Sequence, residues 1–318
     1  MLSENDVMPL PPMPVPTPRP VPPHSGVAPD RPVRPVNPPA AVAIRAMAAA
    51  TDRLLATIDA MPAAAFAEPS VLPGWSRGHV LAHLALNAKG LTGVLTTLGQ
   101  DDPLPMYVSN ARRDADIEQL AAQPPARIAD RVAVGASMLA AHLGGGPTPE
   151  DALEAVGAAG RPAAGQSAGG VIPVFADAAA EAADAIAAWS VSGTFDRTSD
   201  GHPIPAAEIP YMRWREVEVH HSDLDLGYLP SDWAQEFAVY LLALTAFDRD
   251  GEASMTLHPA GLDPLILAGP GGVVDGPGGP HIRGTAADLA WWLAGRGTGE
   301  GLSADVGEIP TLGPWVRR

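Results

Sequence analysis

The stretch Leu72-Pro-Gly-Trp-Ser-Arg-Gly-His-Val-Leu-Ala-His-Leu-Ala-Leu-Asn87 decides how the 318-residue chain is read. Pro73 and Gly74 punctuate it, Ser76 is placed as an N-cap, and a long helix follows. Val80, Leu84, Leu91, Val94, Leu95 and Leu98 recur at helical spacing until Gly99 stops the pattern. His83 lies on the same stripe as Val80, Leu84, Asn87 and Leu91, so this histidine is expected to face the interior of a helical bundle. His79, one turn earlier, competes with it for any role there.

Outward from that helix, Ile44, Met47, Leu54, Leu55 and Ile58 give an alanine-rich helix over 41–60. Two further Ala-rich stretches, about 125–143 and 174–189, also predict helices, of which only one need belong to the core bundle. A helix over about 206–222 places Met212, Glu216, His220 and Asp223 at intervals of four, four and three, on one face. After an apolar helix over 237–247 the pattern changes. Met255-Thr-Leu257, Leu265-Ile-Leu267 and Val273-Val274 are short β-like runs, followed by a helix over 286–294 with Thr285 as its cap. The fold class expected is α+β: an antiparallel four-helix bundle over 40–232, then a small α+β domain over 233–318.

Fourteen of the 36 prolines fall in residues 1–39, which predicts a disordered Pro-rich tail; the Gly/Pro/Ala segment 144–170 predicts a flexible insertion in the bundle. Twenty basic against 36 acidic residues leave a net charge of −16, unsuited to phosphate backbones or an anionic membrane surface. With no signal-like start and no run of about 20 apolar residues, the expectation is a cytoplasmic protein with no nucleic-acid or membrane partner; a monomer is expected besides. Cys 0 excludes a protein thiol nucleophile, disulfides and Cys-ligated metals, so any metal must use His and carboxylates.

Glu216 and His220, four apart, project from adjacent turns and can close on one ion, although such pairs are also common as solvated helical contacts. His83 supplies a third ligand from another helix, where the competing reading is an interior histidine satisfied by a hydrogen bond. Two neutral imidazoles and one carboxylate suit Zn²⁺ with a coordination position left open, and an open position implies catalysis.

The strings 72–87, Pro105-Met-Tyr-Val-Ser109, Asp114-Ala-Asp-Ile-Glu118, Met212-Arg-Trp-Arg-Glu-Val-Glu-Val-His-His-Ser-Asp223 and Leu293-Ala-Gly-Arg-Gly297 resemble, in order, those of the mycothiol-dependent maleylpyruvate isomerases, a DinB-like helical-bundle family. The resemblance covers about 41–316 apart from the 144–170 insertion and the tail, which have no counterpart. It implies that zinc is held by His83, Glu216 and His220. It implies also that Arg296 contacts substrate as a catalytic residue, although an arginine there can instead complement a helix C-terminus. His79 and His221 take secondary or structural roles, and Asp223 is placed to orient a ligand imidazole or its neighbours.

The reaction so implied is the cis–trans isomerisation of maleylpyruvate to fumarylpyruvate, with mycothiol as thiol cosubstrate and a small electrophile as substrate. Two alternatives stand beside it. A mycothiol S-transferase acting on another electrophile would share every ligand. A non-enzymatic metal- or partner-binding bundle would lack the open coordination position.

Overall fold

The computed structural model describes residues 37–101, 103–144, 175, 179–180, 183–187, 189–199, 201–272 and 279–315. The expected tail up to residue 36, nearly all of the 144–170 insertion and the Val273-Val274 strand lie outside them. Residues 37–39, expected in the tail, are held by the bundle: Asn37 Nδ2 donates to Glu208 Oε1 at 3.1 Å and the Tyr211 hydroxyl to Pro38 O at 2.5 Å.

Four long helices form the bundle: α1 (Ala40–Ala60), α2 (Arg77–Thr97), α4 (Pro125–His142) and α6 (Ile209–Asp223). Each packs against two others, α1 on α4 and α6, and α2 on α4 and α6, which closes a ring around one core. The Ala-rich faces allow close approach. At Gly135 a Cβ would stand 3.2 Å from Ala85 O, so α4 lies directly on the α2 backbone. The core is filled by Ile44, Leu54, Leu81, Leu84, Leu91, Val132 and Trp214, each no more than 1% exposed.

The first helix begins within a residue of its expected start. Ser76 caps α2 as expected, and its partner in the capping box is His79. Of the stretch 174–189, the helix α5 (Ala183–Ala187) packs on α1. The helix α3 (Asn110–Ala121), capped by Ser109 and packed on α2, was not anticipated: among its residues only Ile117 is buried, so it has too few apolar positions to show a period. A short antiparallel pair, β1 (Thr194–Asp196) and β2 (Pro203–Pro205), was likewise unannounced by its Pro-flanked sequence.

In the C-terminal region α7 (Gln235–Arg249) packs on α8 (Ala286–Leu293), and both lean on a four-stranded sheet of order β4-β3-β5-β6. The strands are β3 (Met255–Pro259), β4 (Leu265–Leu267), β5 (His281–Gly284) and β6 (Ser303–Ala304); β3 and β5 run parallel, the other pairs antiparallel. Thr285 caps α8 by accepting from Asp288 N–H. Arg249, 2% exposed, ties α7 to Leu293 O, to Gly313 O at 2.6 Å and to Glu252. The last described segment seats Trp315 against both regions: its Nε1 donates to Asp248 Oδ2 at 2.9 Å, and Arg215 of α6 lies 5.7 Å from its ring.

Candidate metal centre

Two helices of the ring bring the predicted ligands together. Ser76 fixes where α2 starts, and two turns later the stripe that buries Val80, Leu84 and Leu91 carries His83 inward, 9% exposed. On α6, Glu216 and His220 sit one turn apart and half-buried, facing it. His83 Nε2 lies 2.8 Å from Glu216 Oε2, and His220 Nε2 lies 3.2 Å from the same oxygen. One donor atom from each residue falls within 4.8 Å of the others, and among the described residues this is the one such trio of His and carboxylate groups. The two imidazoles meet edge to face, 4.8 Å between centroids.

That donor set fits a zinc ion. Donors at about 2.0–2.1 Å in tetrahedral geometry stand about 3.4 Å apart, so contacts of 2.8–3.2 Å need only small side-chain adjustments. His220 turns its other nitrogen, Nδ1, to Asp223 Oδ2 at 2.8 Å. A ligating imidazole supported in this way has a fixed ring and tautomer.

The charges are mutually supporting. Burial holds His83 below the usual imidazole range despite Glu216 beside it. Burial would raise the Glu216 carboxyl, but hydrogen bonds from His220 and His83 prevail and hold it well below the usual carboxylate range. Burial likewise opposes the charge on His220, yet Asp223 and Glu216 push it up to about 9.

Arg296 arrives from the C-terminal region and stops one residue short of the triad. Its Nε and Nη2 donate to the two oxygens of Asp223 at 3.3 and 3.1 Å, and its Nη1 donates to Ala294 O at 2.9 Å. Asp223, fully buried, thus joins the arginine to a ligand imidazole. His79 is not part of the cluster: its Nδ1 contacts Ser76 Oγ at 2.7 Å and its Nε2 contacts Glu118 at 3.2 Å. His221 points the other way, 3.9 Å centroid to centroid from Tyr228 in a stack, with Nε2 at 2.8 Å from the Thr57 hydroxyl.

Several neighbours were not singled out from sequence. Tyr107 is held by backbone bonds from Met106 N–H to Asp196 O and from its own N–H to Arg197 O, both 2.9 Å. Burial, followed by the Glu216 charge, pushes its hydroxyl up to about 12, and a hydrogen bond with Asn87 opposes this. Arg113 of α3 lies 5.9 Å from the Tyr107 ring centroid. Arg213, 1% exposed, donates through Nη1 to Leu84 O and Asn87 Oδ1 and so clamps α6 to α2 within a turn of His83. Trp75 packs 5.8 Å from the His83 ring. Tyr107 and Arg213 both lie inside the quoted strings, but nothing in residue type or spacing alone distinguishes a site wall from ordinary core.

Residues 47–162 match the family model described as the mycothiol maleylpyruvate isomerase N-terminal domain. That segment contains His83 but not Glu216, His220 or Arg296. The fold matches a solved structure, the crystal structure of the mycothiol-dependent maleylpyruvate isomerase, with TM-score 0.61 and 23% identity over 86% of this chain and 95% of that one. A histidine-to-alanine mutant of a mycothiol-dependent maleylpyruvate isomerase matches with the same TM-score at 22% identity and the same coverage. No curated protein matches the chain in sequence. The fold is therefore that of a helical bundle followed by an α+β region, as the sequence led us to expect.

Proposed function

We propose that this chain is a zinc- and mycothiol-dependent isomerase that converts maleylpyruvate to fumarylpyruvate, working as a cytoplasmic monomer on small molecules. No helix among the described residues is long and apolar enough to cross a membrane. The observation that carries the reading is the convergence of His83, Glu216 and His220 from two helices, backed by Asp223 and Arg296. Its chemistry agrees with the family whose N-terminal domain residues 47–162 match.

A zinc ion held by the three residues would supply the positive charge that keeps the cosubstrate sulfur a thiolate near neutral pH. The chain's own groups do the rest. Asp223 fixes the His220 ring, and Arg213 keeps α2 and α6 in register. Arg296 has N–H groups beyond those spent on Asp223 and Ala294, and these would hold a carboxylate or the enolate oxygen of the substrate. The thiolate adds to one carbon of the cis double bond and the electron pair passes to the carbonyl as an enolate. The former double bond is now single and rotates; collapse of the enolate then expels the thiolate and leaves the trans product, so the thiol is regenerated.

The test is the purified full chain with mycothiol and maleylpyruvate, followed by absorbance and by NMR. Thiol-dependent formation of fumarylpyruvate with full recovery of free mycothiol supports the reading. Accumulation of a stable thioether would make the chain an S-transferase, and no consumption of substrate would remove both.

A further inference from the structure

A second convergence of ligand-type side chains lies on the C-terminal sheet, on elements that contribute nothing to the first site. Strand alternation turns Leu257 and Ile282, both 0% exposed, to the side covered by α7 and α8. Their neighbours His258 and His281 therefore project from the opposite face. The parallel register pairs Thr256 with His281 and His258 with Arg283, which makes the two histidines diagonal neighbours on adjacent strands. Their rings stack, 4.9 Å between centroids and 18° apart, and His258 Nε2 stands 2.7 Å from His281 Nδ1. Both side chains are half-buried, so they are held in place yet reachable from solvent.

Asp305, exposed just after β6, anchors the backbone of His281. Its Oδ1 accepts from His281 N–H at 2.8 Å, and its own N–H donates to His281 O at 3.1 Å, which holds β5 and so the His281 side chain in place.

Two nitrogens sharing one cation at about 2.0–2.1 Å, with an angle of about 90–110°, are separated by about 2.9–3.4 Å. The observed 2.7 Å becomes such a separation by a small tilt of either ring.

We propose that His258 and His281 form a second binding site, through their two imidazoles, for a divalent transition-metal ion of the Ni²⁺ and Cu²⁺ type, open to solvent. Imidazole ligands favour these ions over Mg²⁺ and Ca²⁺, which take oxygen donors. The site is independent of the catalytic reading.

Calorimetric titration of the full-length chain with Ni²⁺ tests it, comparing the wild type with His258→Ala and His281→Ala. The wild type should bind one more Ni²⁺ per chain than either variant, or bind it at least tenfold more tightly, while His83→Ala keeps this equivalent. His281→Ala should leave thiol-dependent activity unchanged. Circular dichroism checks that the variants fold, and His258→Gln and His281→Gln replace any alanine variant that does not. Equal stoichiometry and affinity in the wild type and folded variants of both histidines overturns the proposal.

Discussion

At the scale of single residues, the site is a chain of contacts with a direction: Arg296 holds Asp223, Asp223 holds His220, and His220 meets Glu216 and His83. Breaking it at different links should give different symptoms. Asp223→Asn leaves the three ligands in place but loses the charged acceptor on the His220 Nδ1 side, so zinc affinity should fall about 10- to 100-fold in a competition assay with a chelator. Arg296→Lys keeps a cation near Asp223 while losing the planar fork. Zinc should remain bound, and turnover should fall about 10- to 1000-fold, equivalent to about 1.4–4 kcal/mol of transition-state stabilisation. A lowered melting temperature with unchanged kcat/KM would make Arg296 a structural arginine. That Glu216 stands beside His220 was legible from helical spacing, and the inward side of His83 from the apolar stripe of α2; that the three form one ligand set came from the family resemblance. Tyr107 was not: its position depends on backbone bonds to residues 196 and 197, some 90 positions away, which no local pattern encodes.

At the scale of elements, α2 organises the site, and its glycines show how tightly it is packed. A Cβ on Gly90 would meet Met106 O at 2.7 Å, in the loop that carries Tyr107, whereas one on Gly93 would meet nothing within 4 Å. Alanine gains up to about 1 kcal/mol over glycine inside a helix, so Gly93→Ala should raise the melting temperature. Gly90→Ala should lower it and reduce activity, because that loop must shift. Equal responses in the two variants would show that the loop yields without cost. The long helices were legible because each carries a helical period, and the starts of α2 and α8 because Ser76 and Thr285 are side-chain N-caps. Strands β5 and β6 were not, because His281-Ile-Arg-Gly284 and Ser303-Ala304 have almost no apolar content and gain their strand character from pairing with β3 and with each other.

At the scale of the whole molecule, the centre exists only when distant parts of the chain are docked: His83 and Glu216 are 133 positions apart, and Asp223 and Arg296 are 73 apart. A ligand that binds this assembled state and not the unfolded chain must stabilise it. At a free zinc concentration 100-fold above the dissociation constant the gain is about 2.7 kcal/mol. Zinc should therefore raise the melting temperature of the wild type in a concentration-dependent way, and this rise should vanish in Glu216→Ala. The division into bundle and α+β region followed from the change of period after residue 247; the docking of the two through Arg215 on Trp315 and through Arg296 on Asp223 did not, since those contacts join single side chains far apart in the chain. The central claim is that His83, Glu216 and His220 hold one catalytic zinc. The most direct measurement is the zinc content per chain of the purified wild type and of His83→Ala, Glu216→Ala and His220→Ala, with folding checked by circular dichroism. The expected result is about one zinc in the wild type and a small fraction in each variant; undiminished zinc in folded triad variants would contradict the account.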